Sequence, residues 1–459
     1  MSSQVTSVAL QLRSDMPTLL RDVALELKQR CGCAVHAYIG SEEQLRYFQS
    51  AGQREAYDSI HVQDYPLRAV DESLPAEGEL VARAREFEAK IGCTYNRLAL
   101  GNRHFGRGFA LLGPGHPRSR YSERTRYAHL LHGYNQLFDF WEAQFAAHKI
   151  DLVIGASAEL ACIARAHQLP YRGLFGSRHR NLHYWGVDEY CGSADVERRY
   201  HELSGEGAPG EAMQEPYDLA KKNHARMAAA VSLRSTLKTM MLHTLRVVKW
   251  RITGHRKGRG YYYRDEMALM LRRWRDWRWL NGPAMKSLAD LGDTPFILFP
   301  LQTEPETSIH QGSPEYFYQH AAIAALARDL PAGYVLAVKE SPYGIGRRPA
   351  GFYAHVAALK NVLWLKVDER GFDVVRQARA VATIVGTAGF EAAAMGKPVI
   401  SFGRHNVYGF LPHVHLVEDE AGLQDALAEA FSGEFDQAAA ELSGRRFLSA
   451  VIETSFDLG

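Results

Sequence analysis

Short apolar runs alternate with stretches whose apolar residues recur every third or fourth position, the signature of strands and helices in turn. Residues 8–12 read as a strand, 17–30 as a helix with Pro17 in its first turn, and 34–39 as a second strand. Residues 122–148 predict a helix, 151–155 a buried strand, 157–167 a further helix, and 170–174 the next strand. This βαβ rhythm predicts a parallel sheet with helices on both faces. It resumes near Asp293, with strands predicted over 296–301, 334–338, 362–365, 382–385 and 399–402, and helices between and after them.

Between the halves the pattern changes. Residues 85–119, rich in Gly, Arg and His towards their end, predict a large loop region, and the Gly/Pro/Glu-rich stretch 204–215 a linker. Leu233, Leu237, Met241, Leu245, Val248 and Ile252 then recur at spacings of three or four, with Arg234, Lys238, Arg246 and Lys249 alongside. That is an amphipathic helix. The expected division is an α/β domain over 1–203, a linker and basic helical segment over 204–290, a second α/β domain over 291–432, and a helix over 433–459 that crosses back to the first domain.

Residues 381–403 are the most informative stretch. A mostly β-branched run opens onto Gly386-Thr387-Ala388-Gly389; an alanine-rich helix carrying Glu391 follows, closed by Gly396, and then a Pro-led strand. Unpaired N–H groups at such a helix start, with the helix dipole, favour a phosphate. A carboxylate one turn in is placed for a ribose hydroxyl. The unit reads as nucleotide-binding.

Charge adds a second feature. The net charge is +2, yet residues 221–281 hold 16 Lys and Arg against three acids, a net of +13 that leaves the remainder at −11. Four of the seven tryptophans and the run Tyr261-Tyr262-Tyr263 lie in the same segment. The expected partner is an anionic membrane surface, weighed against a solvated helical face and an anion channel. No nucleic-acid module surrounds the charge, so no nucleic-acid partner is expected. Five cysteines without a CxxC pair suit a reducing compartment, and no apolar leader or 18-residue apolar run occurs, so a cytoplasmic protein at the inner membrane face is expected.

Three turns follow three strands of the second half: QTEPETSIHQ from Gln302, with Glu304, Glu306, Thr307 and His310; ESPYGIGRRP from Glu340, with Gly344, Gly346, Arg347 and Arg348; and the Gly386–Gly389 turn. Together they offer amides and hydroxyls for phosphate, guanidinium groups for anions, and carboxylates for sugar hydroxyls or protons. The succession FPLQTEPET, VLAVKESPYGIGRRP, NVLWL and VATIVGTAGFEAAAMGKPVISFG resembles bacterial capsule and surface-polysaccharide biosynthesis proteins, most clearly over 295–415. These are glycosyltransferase-like proteins of GT-B architecture, related to Kdo transferases.

The resemblance implies an α/β, GT-B-like fold, two Rossmann-like domains facing a central cleft with the basic helical segment between them. It implies a nucleotide-sugar donor held by the second domain, a CMP-sugar such as CMP-Kdo being favoured, and a glycan or lipid-linked glycan acceptor held by the first. Ser341 stands where family members commonly carry histidine. Donor-binding residues are then expected to be Gln302, Lys339, Ser341, Arg347, Gly386, Thr387, Ala388, Gly389 and Glu391, and catalytic ones Glu159, His104 and Glu306. His116, His179 and Asp188 are further candidates for the base. No DxD pair occurs, so no metal is expected, and no cofactor beyond the nucleotide-sugar substrate. A nucleotide-sugar 2-epimerase, a CDP-alditol phosphotransferase or a non-catalytic glycan-assembly protein are the alternatives on the same fold.

Overall fold

The computed structural model describes residues 5–13, 16–102, 104–105, 116–214, 232–254, 260–304, 306–310, 312–316 and 318–457. The expected loop over 85–119 is partly helical instead, 85–91 ending the helix Glu77–Ile91 and 95–100 forming the helix Tyr95–Leu100; residues 103 and 106–115 of it, the first part of the basic segment, its residues 255–259, and Pro305 of the first turn lie outside the described residues.

The first half holds β1 (Ser7–Gln11), β2 (Ala34–Ile39), β3 (Ser59–Val62), β4 (Leu152–Gly155), β5 (Tyr171–Gly176) and β6 (Leu182–Gly186). The second half holds β7 (Phe296–Pro300), β8 (Val335–Lys339), β9 (Val362–Leu365), β10 (Ala380–Thr383), β11 (Val399–Ser401) and β12 (Val414–Leu416). The terminal β13 (Phe456–Asp457) returns to the first sheet, whose order is β13-β6-β5-β4-β1-β2-β3. The second sheet runs β12-β11-β10-β7-β8-β9 and is parallel throughout. Its strands are near-continuous apolar runs because helices cover both faces. The architecture is thus the GT-B-like pair of Rossmann-like halves that the resemblance implied.

The parallel rhythm fails at one edge. β6 pairs with β5 antiparallel, and β13 pairs with β6 antiparallel. The connection from β5 to β6 is a short turn, with Arg178 at φ 66° and Arg180 at φ 51°. A parallel return would need a crossover of a dozen or more residues.

The helix Gln437–Thr454 ties the halves together. It packs on the first half's helix Ala194–Gly205 and on the second half's Thr387–Ala394. Gly444 permits the second contact, since a Cβ there would lie 2.6 Å from the Ala393 carbonyl. Tyr200 Oη and Ser443 Oγ, both buried, share a hydrogen bond of 2.8 Å.

The basic segment splits by residue type. Trp277 joins the core of the second half, Trp279 stacks on Tyr353, and Tyr261 Oη meets His116 Nε2 at 3.1 Å. Those aromatics serve packing. The helix Leu233–Ile252 instead turns its apolar stripe outward, with Leu245 58% and Ile252 80% exposed. Among the described residues no helix is long and apolar enough to cross a membrane.

Candidate functional site

In the second sheet the chain leaves β7 first to one side, towards β8 and β9, and later to the other, towards β10. Ligands in open α/β sheets lie beyond the carboxyl ends of strands at such a switch point. A cavity of about 860 Å³ opens there, lined from the turn after β7 by Gln302, Glu306 and Ser308, from β8 by Lys339 and Ser341, and from β10 by Gly386, Thr387 and Ala388.

Gln302 joins these turns. Its side-chain carbonyl accepts from the Val385 amide at 3.3 Å, and its main chain exchanges two hydrogen bonds with the Gln319 side chain. Arg348 Nη2 donates to its carbonyl at 2.6 Å. The segments after β7, β8 and β10 are therefore held in one fixed relation.

The turn after β8 is built around a buried ion pair. Arg348 donates from Nε and Nη2 to Glu340 at 2.8 and 2.7 Å, and pairs with Glu304 at 3.0 Å. Glu340, with its side chain fully buried, also accepts from the Tyr353 hydroxyl at 3.0 Å and the Ser341 amide at 2.7 Å. Arg348 thus shapes the loop rather than meeting a ligand. Arg347, expected on the donor, turns away from the cavity; its Nη1 approaches His116 Nδ1 of the first half at 3.5 Å. Lys339 does line the cavity, with Nζ donating to the Val367 carbonyl at 3.1 Å, and burial lowers its ammonium to about 8.

At the third turn Thr383 Oγ1 accepts from the Gly386 amide at 3.0 Å, which sets the chain into the helix Thr387–Ala394. The Gly389 amide bonds the Gly386 carbonyl at 3.1 Å, while the Thr387 and Ala388 amides precede any intrahelical carbonyl partner. Gly389, expected on phosphate, is instead a packing glycine: a Cβ would lie 2.6 Å from Thr383 Cγ2 and still closer to the Tyr408 hydroxyl. Glu391 reaches the cavity one turn in, and desolvation raises its carboxyl to about 7. At that value the group both accepts and donates near neutral pH.

Two guanidinium groups complete the wall, and neither was expected from sequence. Arg370 precedes the helix Gly371–Gln377 beyond β9, and Arg178 comes from the β5–β6 turn of the first half. Arg178 Nη1 donates to the Val385 carbonyl, across the two halves. Arg178, Arg370 and Lys339 face Glu306 and Glu391 around one space, a setting for a phosphate at one end and hydroxyl groups at the other.

The expected first-half residues lie elsewhere. Glu159 packs against Tyr134 and Ser157, where burial raises its carboxyl, and it does not line the cavity. Its place inside the helix Ala158–Ala166 is better accounted for by the N-terminal dipole. His104 stands in an aromatic group with Tyr261 and Tyr121, at 5.6 and 5.7 Å between centroids, and is also off the cavity. His179 is buried beside Ser177 and lowered by desolvation to about 4, so it is neutral in use. Asp188 is raised by burial and accepts from the Tyr190 amide at 2.8 Å. Tyr190 in turn stacks on His405 of the second half at 3.7 Å. The side chains of Thr307 and His310 lie outside the described residues.

Among solved structures, the β-Kdo 2,4 transferase KpsC of Thermosulfurimonas dismutans is 16% identical, over 64% of this chain and 87% of that one, with a TM-score of 0.29. The β-Kdo 2,7 transferase KpsC of the same organism is 15% identical over 66% and 88%, with a TM-score of 0.30. The UDP-GlcNAc 2-epimerase of Neisseria meningitidis, bound to UDP-GlcNAc, is 10% identical over 98% and 99%, with a TM-score of 0.29. Likenesses of this strength assign no activity. No curated protein sequence matches the chain. The family model of capsule polysaccharide biosynthesis proteins matches residues 220–415, which take in β7 to β11 and the whole second-half wall of the cavity. Over that segment the chain is similar to capsule polysaccharide biosynthesis proteins.

Proposed function

We propose that the protein is a metal-independent, GT-B-type glycosyltransferase that moves a sugar from a nucleotide-sugar donor to a growing capsule or surface polysaccharide. The observation that carries this reading is the lining of the cavity: helix-start amides, Arg178 and Arg370 beside Glu391, all at the sheet's switch point. The amides and guanidiniums suit the donor phosphate, and Glu391 the ribose diol.

In the transfer, an acceptor hydroxyl attacks the anomeric carbon while the bond from that carbon to the phosphate oxygen breaks. Charge grows on the leaving phosphate, and groups fixed beforehand stabilise it without reorganising. Glu306 is the residue assigned to take the acceptor's proton. Support for this role is that Glu306 lines the cavity from the turn after β7. A CMP-linked sugar such as CMP-Kdo is the first donor to try.

The acceptor is proposed to be lipid-linked and met at the inner face of the cytoplasmic membrane. Support comes from the outward apolar stripe of Leu233–Ile252, flanked by Arg234, Lys238, Arg246 and Lys249.

Incubation with CMP-, UDP-, GDP- and CDP-linked sugars and a polysaccharide acceptor, followed by nucleotide release, tests the reading. Release from one donor, dependent on acceptor, is the expected result. No release from any donor by folded protein contradicts it, and conversion of a donor without acceptor moves the assignment to an epimerase.

A further inference from the structure

Three histidines far apart in sequence meet in the first half, away from the donor cavity. In the parallel β2–β3 register His36 pairs with Ser59, and Tyr38 with His61. Side chains two apart share a face of a strand, so the four form one cluster. The helix Tyr127–His148 covers that face: Tyr38 packs on its Phe140 and Trp141, and its last residue, His148, stacks on His36 with centroids 3.9 Å apart. His61 lies 5.1 Å from His148, ring to ring.

Each of the three rings offers a nitrogen within 4.8 Å of those of the other two. Ser59 Oγ holds two of them in place, 2.8 Å from His36 Nδ1 and 2.7 Å from His61 Nε2. A partner that fixes the rotation of a ring in this way is what metal-ligating histidines ordinarily have. His36 is buried, while His61 and His148 are half-buried, so an ion could enter without unfolding the sheet. Tetrahedral zinc with Zn–N bonds of about 2.0–2.1 Å needs nitrogens about 3.4 Å apart. Binding therefore requires the His61 and His148 rings to turn towards a common point, His148 out of its stack on His36.

The geometry points to a divalent transition-metal site formed by His36, His61 and His148, with Zn²⁺ as the preferred ion. Three imidazoles suit zinc, copper or nickel, whereas magnesium and calcium require oxygen ligands that this cluster does not present. The ion would fasten the edge strand β3 and its neighbour β2 to the end of the long helix. Its role is structural, independent of the transfer reaction proposed above.

The test uses the full chain, stripped with chelator and titrated with Zn²⁺ while heat released and the thermal midpoint are followed. One equivalent is expected to bind and raise the midpoint by several degrees, because an ion that binds only the folded state stabilises it by mass action. His61→Gln and His148→Gln, at half-buried positions, should each weaken that binding at least tenfold, and Ser59→Ala should weaken it by a smaller factor. Co²⁺ bound in place of zinc should give the visible absorption of a nitrogen-ligated tetrahedral site. The proposal is overturned if the wild-type chain takes up no stoichiometric Zn²⁺. It is equally overturned if both glutamine variants bind as the wild type does, which would place the ion among other histidines.

Discussion

Arg178 of the first half donates from Nη1 to the main-chain carbonyl of Val385, the residue that introduces the Gly386 turn of the second half. Arg178 holds φ at 66°, a left-handed backbone that a non-glycine residue adopts at a cost of about 1–2 kcal/mol. The contact sets one half of the protein against the wall of the other's cavity. Arg178→Ala is expected to raise the dissociation constant for the bound nucleotide by about 10- to 100-fold, in line with the ~1.5–3 kcal/mol of a hydrogen bond to a charged group. Arg178→Gly should lose affinity equally while folding more stably than Arg178→Ala, since both lose the contact and only glycine relieves the left-handed backbone. Calorimetric titration and denaturant unfolding of both variants check this.

Glu391 makes stability depend on pH. Its carboxyl is raised to about 7 from an ordinary 4.5, so the folded state holds the proton more tightly than the unfolded chain. The corresponding stability is complete below about pH 4.5 and is lost as pH rises through 7. Glu391→Gln should therefore match the wild type near pH 5 and exceed it at pH 8, by up to about 3 kcal/mol. The carboxylate's contribution to nucleotide affinity should move the other way, so that the ratio of wild-type to variant affinity rises from pH 6 to 8. Urea unfolding and binding at the two pH values separate these effects.

The Arg348–Glu340 pair is a scaffold and should behave as one. Removing one partner leaves the other charge buried and unpaired, so Arg348→Met is expected to cost about 3–5 kcal/mol. Replacing both, as Arg348→Met with Glu340→Leu, should cost less than the sum of the single changes, because the two residues share one interaction. Denaturant midpoints of the three variants give the coupling directly.

Gly389 permits a close approach of helix and loop. Gly389→Ala would place a methyl group against Thr383 and the Tyr408 hydroxyl, both buried, and is expected to cost about 1–3 kcal/mol through overpacking. The helix start would shift with it, so nucleotide affinity should fall as well. A loss of stability with affinity retained would show that the helix start does not touch the ligand.

The stripe on Leu233–Ile252 predicts a membrane effect separable from the cavity. Leu245→Glu should reduce partition onto vesicles containing phosphatidylserine by about tenfold or more and leave nucleotide binding unchanged. Raised salt should weaken the wild-type association through screening of the basic residues. Vesicle co-sedimentation at two salt concentrations reads both effects.

Much of the second sheet was legible because its strands are unbroken apolar runs, each ended by a turn-forming stretch, as Phe296–Pro300 is by the residues from Gln302. β3 was not: Ser59-Ile60-His61-Val62 is short and half-buried at every position, as an edge strand is. β6 and β13 escaped the βαβ rhythm because a tight turn and a distant chain end supply them. In the site, the turns that line the cavity were legible, since each continues a strand towards the same sheet edge. Arg178 was not, because nothing in Ser177-Arg178-His179-Arg180 tells which side chain crosses to the other half. Nor did sequence distinguish Arg347 from Arg348, neighbours whose backbone geometry sends one into the core beside Glu340 and the other to His116.

The most direct measurement is calorimetric titration of CMP, UDP, GDP and CDP into the wild-type chain and the Glu391→Gln variant at pH 8. A nucleotide-sugar donor held at the switch point predicts saturable binding of one of the four at one equivalent, weakened at least tenfold by the variant. Binding of none of them, or binding unchanged by the loss of the Glu391 carboxylate, would contradict it.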